Sequence, residues 1–202
     1  MGGWAAMLLC VSTAATAQQK TPDAEPAATA ATKAVDLLTA AQTHYQQGEW
    51  VEAQKAYQRA FDEAPQESRI KARAALEWSS LLWEQGDYRQ AAKRVNDALD
   101  RARKLKMNEA IGQLLLTKGH IEASRGKLKS AEHTLQICIE LAREQKDQVF
   151  SSLCEINHRL VRQLRGRPVG PDSDYRRAIA QLEAAGTPLS VGAALAKTSE
   201  LY

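Results

Sequence analysis

Cys138 and Cys154 are the residues whose type and spacing most directly suggest chemistry, and that chemistry is disulfide formation. They lie eight residues on either side of position 146, near an expected turn between two antiparallel helices. Helices paired about that turn would hold both side chains at one level, and a disulfide requires Cα atoms within about 7 Å. Such a bond persists only in an oxidising compartment. The alternative is a pair of buried thiols that serve as small apolar residues.

The four histidines show no pattern for catalysis or metal binding. His44, His120, His133 and His158 are spread over different predicted helices, and no two have the i, i+4 spacing of a helical metal site with a Glu. No Ser or Cys lies in a nucleophile-elbow sequence, and no strand is predicted that could precede a phosphate-binding loop. We therefore predict a non-enzymatic protein with no cofactor and no metal site.

The elements that position these residues repeat along the chain. Gly48, Gly86, Gly126 and Gly166 are 38, 40 and 40 residues apart, and helical apolar patterns lie between them. A glycine at the end of a helix supplies a left-handed residue without a steric penalty, and Pro65 ends the helix that follows Gly48. A fixed period of this size indicates a stacked array of helix pairs.

Small residues recur where neighbouring helices are expected to cross, and they allow the helix axes to approach closely. They are Ala41, Ala53, Ala60, Ser79, Ala91, Ala98, Gly119, Ala131 and Cys138. Because a single helix pair cannot bury its apolar face, the stability of such an array comes from the stacking of neighbouring pairs.

The first unit closely resembles the tetratricopeptide repeat (TPR) family. Its matching residues are Ala41, Gly48, Trp50, Ala53, Tyr57, Ala60 and Pro65, and the second and third units repeat the pattern less completely. The resemblance covers about three and a half repeats in residues 34–165, with a period of 38–40 residues instead of the usual 34. It implies an all-α fold, a right-handed α-solenoid of antiparallel helix pairs.

The two ends of the chain have a different character. Residues 1–17 carry no charge and contain a short apolar run followed by small residues, which predicts a secretory signal peptide, although no basic residue precedes the run. Residues 18–33 are rich in Ala, Thr, Pro and Gln, and we expect a flexible linker. Residues 166–202 are expected to form degenerate C-terminal helices.

The resemblance also implies a concave groove lined by the first helix of each repeat. Its positions, carried over one by one, are Leu38, Gln42 and Tyr45; Arg73, Leu76, Ser80 and Trp83; and Gln113, Leu116, His120 and Ser124. We expect Tyr45 and Trp83 to anchor a bound peptide, because Tyr, Trp and Arg are frequent interface hot spots. Leu38 and Leu76 stand where chaperone-binding members of the family have a Lys, so a carboxylate clamp is not expected.

These features predict an interaction scaffold that binds another protein or peptide, with no nucleic-acid partner and no membrane span. The signal peptide places it in the periplasm or outside the cell, and the cytoplasm is the alternative. Two other functions remain open. One is a structural module that self-associates through its C-terminal helices. The other is a regulatory protein that binds an anionic ligand at residues 89–129, where eleven Lys/Arg accompany four Asp/Glu.

Overall fold

The computed structural model describes residues 24–66, 68–168 and 172–185, and these residues form eight helices without any strand. The helices are α1 Ala24–Gln46, α2 Trp50–Glu63, α3 Arg69–Glu84, α4 Tyr88–Lys104, α5 Asn108–Ser124, α6 Leu128–Glu144, α7 Gln148–Leu164 and α8 Asp172–Ala184. Each helix packs against the next one in the chain, and short turns make consecutive helices antiparallel. The all-α prediction is confirmed.

Three-residue turns that contain a left-handed residue join most consecutive helices. The central residue has a positive φ at every such turn, whether it is a glycine such as Gly86 (82°) or one of two lysines, Lys106 (53°) and Lys146 (58°). At the Gly86 turn, the N–H of Asp87 donates to the carbonyl of Leu82 at 2.9 Å, which is the bond of a Schellman motif. Helices α4 to α7 have 17 residues each. Longer helices, and not longer turns, therefore produce the 40-residue period.

Replacing both Lys106 and Lys146 by glycine should raise the free energy of unfolding by up to about 1 kcal/mol. A residue with a Cβ is destabilised by about 1–2 kcal/mol in the left-handed region, and glycine removes this cost. The larger entropy of glycine in the unfolded state offsets part of the resulting stabilisation. Urea denaturation would measure the change. Lys93→Gly, at an exposed position inside α4, is the matched control and should instead cost about 1 kcal/mol. A destabilised double variant would contradict the role given to these turns.

The core lies between two layers of helices and is filled largely by alanine. Ala53, Ala60, Ala91 and Ala98 have no exposed surface, so the helices that carry them approach closely. At Gly119 the approach is so close that a Cβ there would lie 2.7 Å from the side chain of Leu135. The crossing positions expected from the sequence are thus buried, and the two layers are closely packed at these positions.

The predicted linker is wrong from Ala24 onward, because α1 begins there. Alanine has the highest helix propensity, and Pro26 falls in the first turn, where proline is tolerated. Contacts farther along also hold the helix, since Ala34 is fully buried and Lys33 pairs with Glu63 at 2.6 Å. A helix that is packed at one end extends through an alanine-rich segment at little cost.

The described helices that follow α6 form a fourth pair. The fourth pair consists of α7 and α8, and α8 packs on α7 through Ala178 and Leu182. The predicted signal peptide, residues 18–23 of the linker and the last part of the C-terminal region, residues 186–202, lie outside the described residues. Among the helices that the structure describes, none combines the length and apolar character needed to cross a bilayer.

Candidate partner-binding groove

The odd-numbered helices form one layer. Helix α1 contacts α3, and α3 contacts α5, whereas the even-numbered described helices make no comparable contacts with one another. Because the odd-numbered helices lie closer to one another than the even-numbered ones do, the odd-numbered layer forms the concave side of the stack. Because α1, α3, α5 and α7 run in the same direction, their carboxyl ends also share one edge of this groove.

Equivalent residues make the same contact in two successive repeats. The hydroxyl of Tyr45, three residues before Gly48, donates to the carboxylate of Glu84 at 2.7 Å. The indole N–H of Trp83, three residues before the next turn glycine, donates to the hydroxyl of Ser124 at 2.8 Å. Both bonds cross from one inner helix to the end of the next, so the aromatic residues are held across the seams of the stack.

Tyr45 remains a hydrogen-bond donor over the physiological pH range. Its partial burial, and then the hydrogen bond and charge of Glu84, raise the pKa of Tyr45 to about 12. Each of these causes disfavours the phenolate, because both burial and a neighbouring carboxylate penalise a second negative charge. The proton therefore stays on the tyrosine, which donates it to the hydrogen bond with Glu84.

A second set of contacts lies deeper in the groove between α1 and α3. The amide of Gln42 donates to both carboxylate oxygens of Glu77, at 3.1 and 3.0 Å. The guanidinium of Arg73 contacts the same carboxylate at 2.7 Å from one turn away. Arg73 itself is largely exposed, so its other donors face solvent and are open to a partner.

His120 continues the series from α5 to α7. Its ring stacks on Trp83 with the centroids 5.2 Å apart, and its Nε2 lies 2.7 Å from Oδ1 of Asn157. The amide nitrogen of Asn157 donates to the carbonyl of Leu153, which leaves Oδ1 as the acceptor for the histidine. A chain of contacts thus links α3, α5 and α7 along the groove.

Asn157→Ala should lower the free energy of unfolding by about 1–2 kcal/mol, because it removes a buried side chain that bonds both His120 and its own helix. Thermal or urea denaturation would measure this loss. Gln113→Ala, at an exposed groove position on α5, should change stability by less than about 0.5 kcal/mol. Equal effects of the two substitutions would show that the inner-helix contacts do not stabilise the stack.

The structure removes one predicted residue from the groove surface. Leu38 is only 5% exposed and belongs to the core, because the side chain at this turn of α1 points into the contact with its neighbours. Leu76 and Leu116 are half-buried against the core and keep part of their surface accessible. The hydroxyl of Ser80 donates to the carbonyl of Leu76 in its own helix. The groove surface is therefore more polar than the sequence suggested.

Two residues that border the groove were not predicted from the sequence. Trp50 is 46% exposed and meets Tyr45 in an edge-to-face contact, with the ring centroids 5.2 Å apart. Glu84 ends α3 beside Tyr45. The repeat pattern suggested a packed aromatic residue at position 50, but as the first residue of α2 its side chain reaches the edge of the stack.

Cys138 of α6 and Cys154 of α7 form a disulfide in the structure. Their Cα atoms are 6.0 Å apart and neither residue has exposed surface. The two helices are joined by the turn at Lys146, which brings positions equally far from it face to face. The bond therefore ties the third helix pair to the fourth.

The basic segment 89–129 is divided among α4, α5 and the start of α6. Some of its cations have structural contacts: Arg94 lies 4.1 Å over the ring of Trp78, and Arg101 donates to the carbonyl of Gln66 at 2.6 Å. Within the described part of the chain, no three His, Cys, Asp or Glu side chains are grouped as metal ligands.

Comparison with known proteins supports the fold type. The sequence model of the ANAPC5 family, anaphase-promoting complex subunit 5, matches residues 75–162. A solved structure described as a Rap protein complexed with competence and sporulation factor is similar with a TM-score of 0.60 and 18% identity. That match covers 81% of this chain, which spans 44% of the Rap chain. No curated protein matches the sequence. These findings give the chain a TPR-like fold, an α-solenoid of helix pairs.

Proposed function

We propose that this protein is a non-enzymatic scaffold that binds a peptide or protein segment in the groove of α1, α3, α5 and α7. The observation that carries the proposal is the series of cross-helix contacts made by Tyr45, Trp83 and His120. Each side chain is held by a neighbouring inner helix while part of its surface stays accessible. Aromatic side chains fixed in this way lose little entropy when a partner binds.

The similar Rap protein supports a bound partner for this type of fold, because its structure was determined as a complex. Fold likeness at this level does not carry a function across by itself. The support for this chain therefore comes from its own groove, where exposed side chains such as Arg73 and Gln113 lie beside the half-buried aromatic residues.

We further propose that the protein works in the periplasm or outside the cell. The Cys138–Cys154 disulfide supports this location, because such bonds persist in oxidising compartments and are rare in the cytosol. Cell fractionation with intact-mass analysis would test the proposal. A protein found in the cytosol with two alkylatable thiols would contradict it.

Partner capture from native cells tests the groove directly. We expect the parent protein to recover a discrete partner that Tyr45→Ala/Trp83→Ala fails to recover. Because these side chains also pack against the core, Arg73→Ala/Gln113→Ala serves as a second variant whose substituted side chains are exposed. Ile137→Ala, an exposed apolar position on the outer helix α6, is the matched control. Recovery of the same proteins by every folded variant, as judged by circular dichroism, would refute the groove as the binding site.

A further inference from the structure

The first corner of the groove combines aromatic surface with negative charge. Tyr45 of α1, Trp50 of α2 and Glu84 of α3 form a connected set, which we call the acidic aromatic corner. The Tyr45 hydroxyl bonds to Glu84 at 2.7 Å, and the Tyr45 ring meets Trp50 at 5.2 Å. Trp50 leaves 46% of its surface exposed, a large share for a residue that usually buries most of its ring.

Among the described residues, no cation pairs with the carboxylate of Glu84. The neighbouring carboxylates of Glu49 and Glu52 contact His44 at 2.5 Å and Lys55 at 2.8 Å, respectively. In the described part of the chain, by contrast, Glu84 has the neutral hydroxyl of Tyr45 as its hydrogen-bond partner and no basic group within ion-pair distance.

The position of Glu84 also makes this charge unfavourable for the isolated fold. Glu84 is the last residue of α3, where the carbonyl groups of the final turn already produce a negative potential. The carboxyl end of α1, at Gln46, lies at the same edge of the groove. A negative side chain beside two helix carboxyl ends attracts a cation from outside the chain.

The equivalent corner of the second repeat has a different chemistry. There Trp83 replaces Tyr45 and bonds to Ser124, so a neutral hydroxyl stands where Glu84 stands in the first repeat. The turn beyond Ser124 brings the exposed basic residues Arg125 and Lys127. The first corner thus differs from the second in both its carboxylate and the charge of its surroundings.

We propose that the acidic aromatic corner binds an arginine or lysine side chain of the partner. The cation would lie against the exposed indole of Trp50 and donate a charge-assisted hydrogen bond to the Glu84 carboxylate. Arginine fits better than lysine, because its planar group can stack on an aromatic ring while it donates two parallel bonds to a carboxylate. This inference rests on the proposed function, and it specifies one position of the peptide that the groove takes.

Selection from a random-peptide phage library tests the inference with a defined probe. The immobilised wild-type protein should enrich peptides that share an Arg or Lys at one fixed position. Trp50→Ala/Glu84→Gln should lose the preference for a basic residue at that position and keep the preferences at the others. A synthetic peptide with the selected sequence should bind this variant about tenfold more weakly, as expected when one cation contact is lost.

The matched control is Ile137→Ala/Glu144→Gln, which removes one exposed apolar side chain and one exposed acid from α6. It should select the same peptides as the wild type. If the selected peptides need Arg73 and Gln113 for binding but share no position with an Arg or Lys, the inference is overturned and the proposed function stands. A basic position selected equally well by the corner variant would also overturn it. If the wild-type protein enriches no peptide, both proposals are refuted.

Discussion

Replacing Glu132 by alanine should lower the free energy of unfolding by about 3 kcal/mol. Glu132 lies in α6 with only 9% of its surface exposed, and its carboxylate is surrounded by three arginines. It accepts hydrogen bonds from Arg165 and from Arg162 at 3.3 Å, and Arg167 lies 3.7 Å away. One buried carboxylate therefore holds the carboxyl end of α7 against α6.

The size of this effect follows from the charges that remain. Removing one partner of a buried ion pair costs about 3–5 kcal/mol, because the other charge is left desolvated and unpaired. We expect the lower end of that range, since a third of the Arg162 side chain is exposed (33%) and can turn toward solvent. The loss should still exceed that of an exposed salt bridge, which is at most about 1 kcal/mol.

Urea denaturation of the variant would measure the loss, and Glu140→Gln is the matched control. Glu140 lies on the same helix, is exposed and accepts a hydrogen bond from Gln136 in its own helix. Its replacement should change stability by less than about 0.5 kcal/mol. If Glu132→Ala were as mild as the control, the arginine cluster would have no part in joining α6 to α7.

Removing the Cys138–Cys154 disulfide should cost a similar amount, about 3 kcal/mol. The bond joins residues 16 apart in the sequence, and a closed loop of that length restricts the unfolded chain by about this free energy. Both sulfur atoms are buried between α6 and α7. Without the bond, the last helix pairs should therefore unfold at a lower concentration of denaturant.

Denaturation of Cys138→Ala/Cys154→Ala, with and without reductant, separates the bond from the packing of the side chains. We expect reductant to destabilise the wild-type protein by nearly the same amount as the double substitution and to leave the double variant unchanged. An unfolding midpoint of the wild type that does not move on full reduction, with both thiols alkylated, would show that the bond adds nothing to stability.

Helices and turns could be predicted from the sequence because they depend on local physical rules. The apolar spacing fixed which segments are helical, and the turn glycines marked where α1, α3, α5 and α7 end, as Gly48 and Gly86 show. The spacing of Cys138 and Cys154 about position 146 was enough to place them opposite each other. Lys106 and Lys146 were missed as left-handed residues, since lysine carries no local signal for that conformation.

The exposure and partners of individual side chains depended on the stack itself. Leu38 and Trp50 have the apolar character of groove and core residues, respectively, yet Leu38 is 5% exposed and Trp50 46%. Their exposure depends on the angle and spacing between helices from different repeats. These helices are about 40 residues apart in the sequence, so only their packing determines that geometry. The same holds for Glu132, whose arginines lie at and just beyond the carboxyl end of α7, about 30 residues away or more.

By itself, therefore, the sequence determined the class of fold and the positions of the glycine turns that end α1, α3, α5 and α7. These properties follow from the period of apolar residues and from the conformational freedom of single residues. Only the tertiary structure decided that α1 extends into the alanine-rich segment and that Tyr45, Trp50 and Glu84 meet at one corner of the groove. Such contacts join residues from different helices, and their geometry depends on how closely small residues allow those helices to pack.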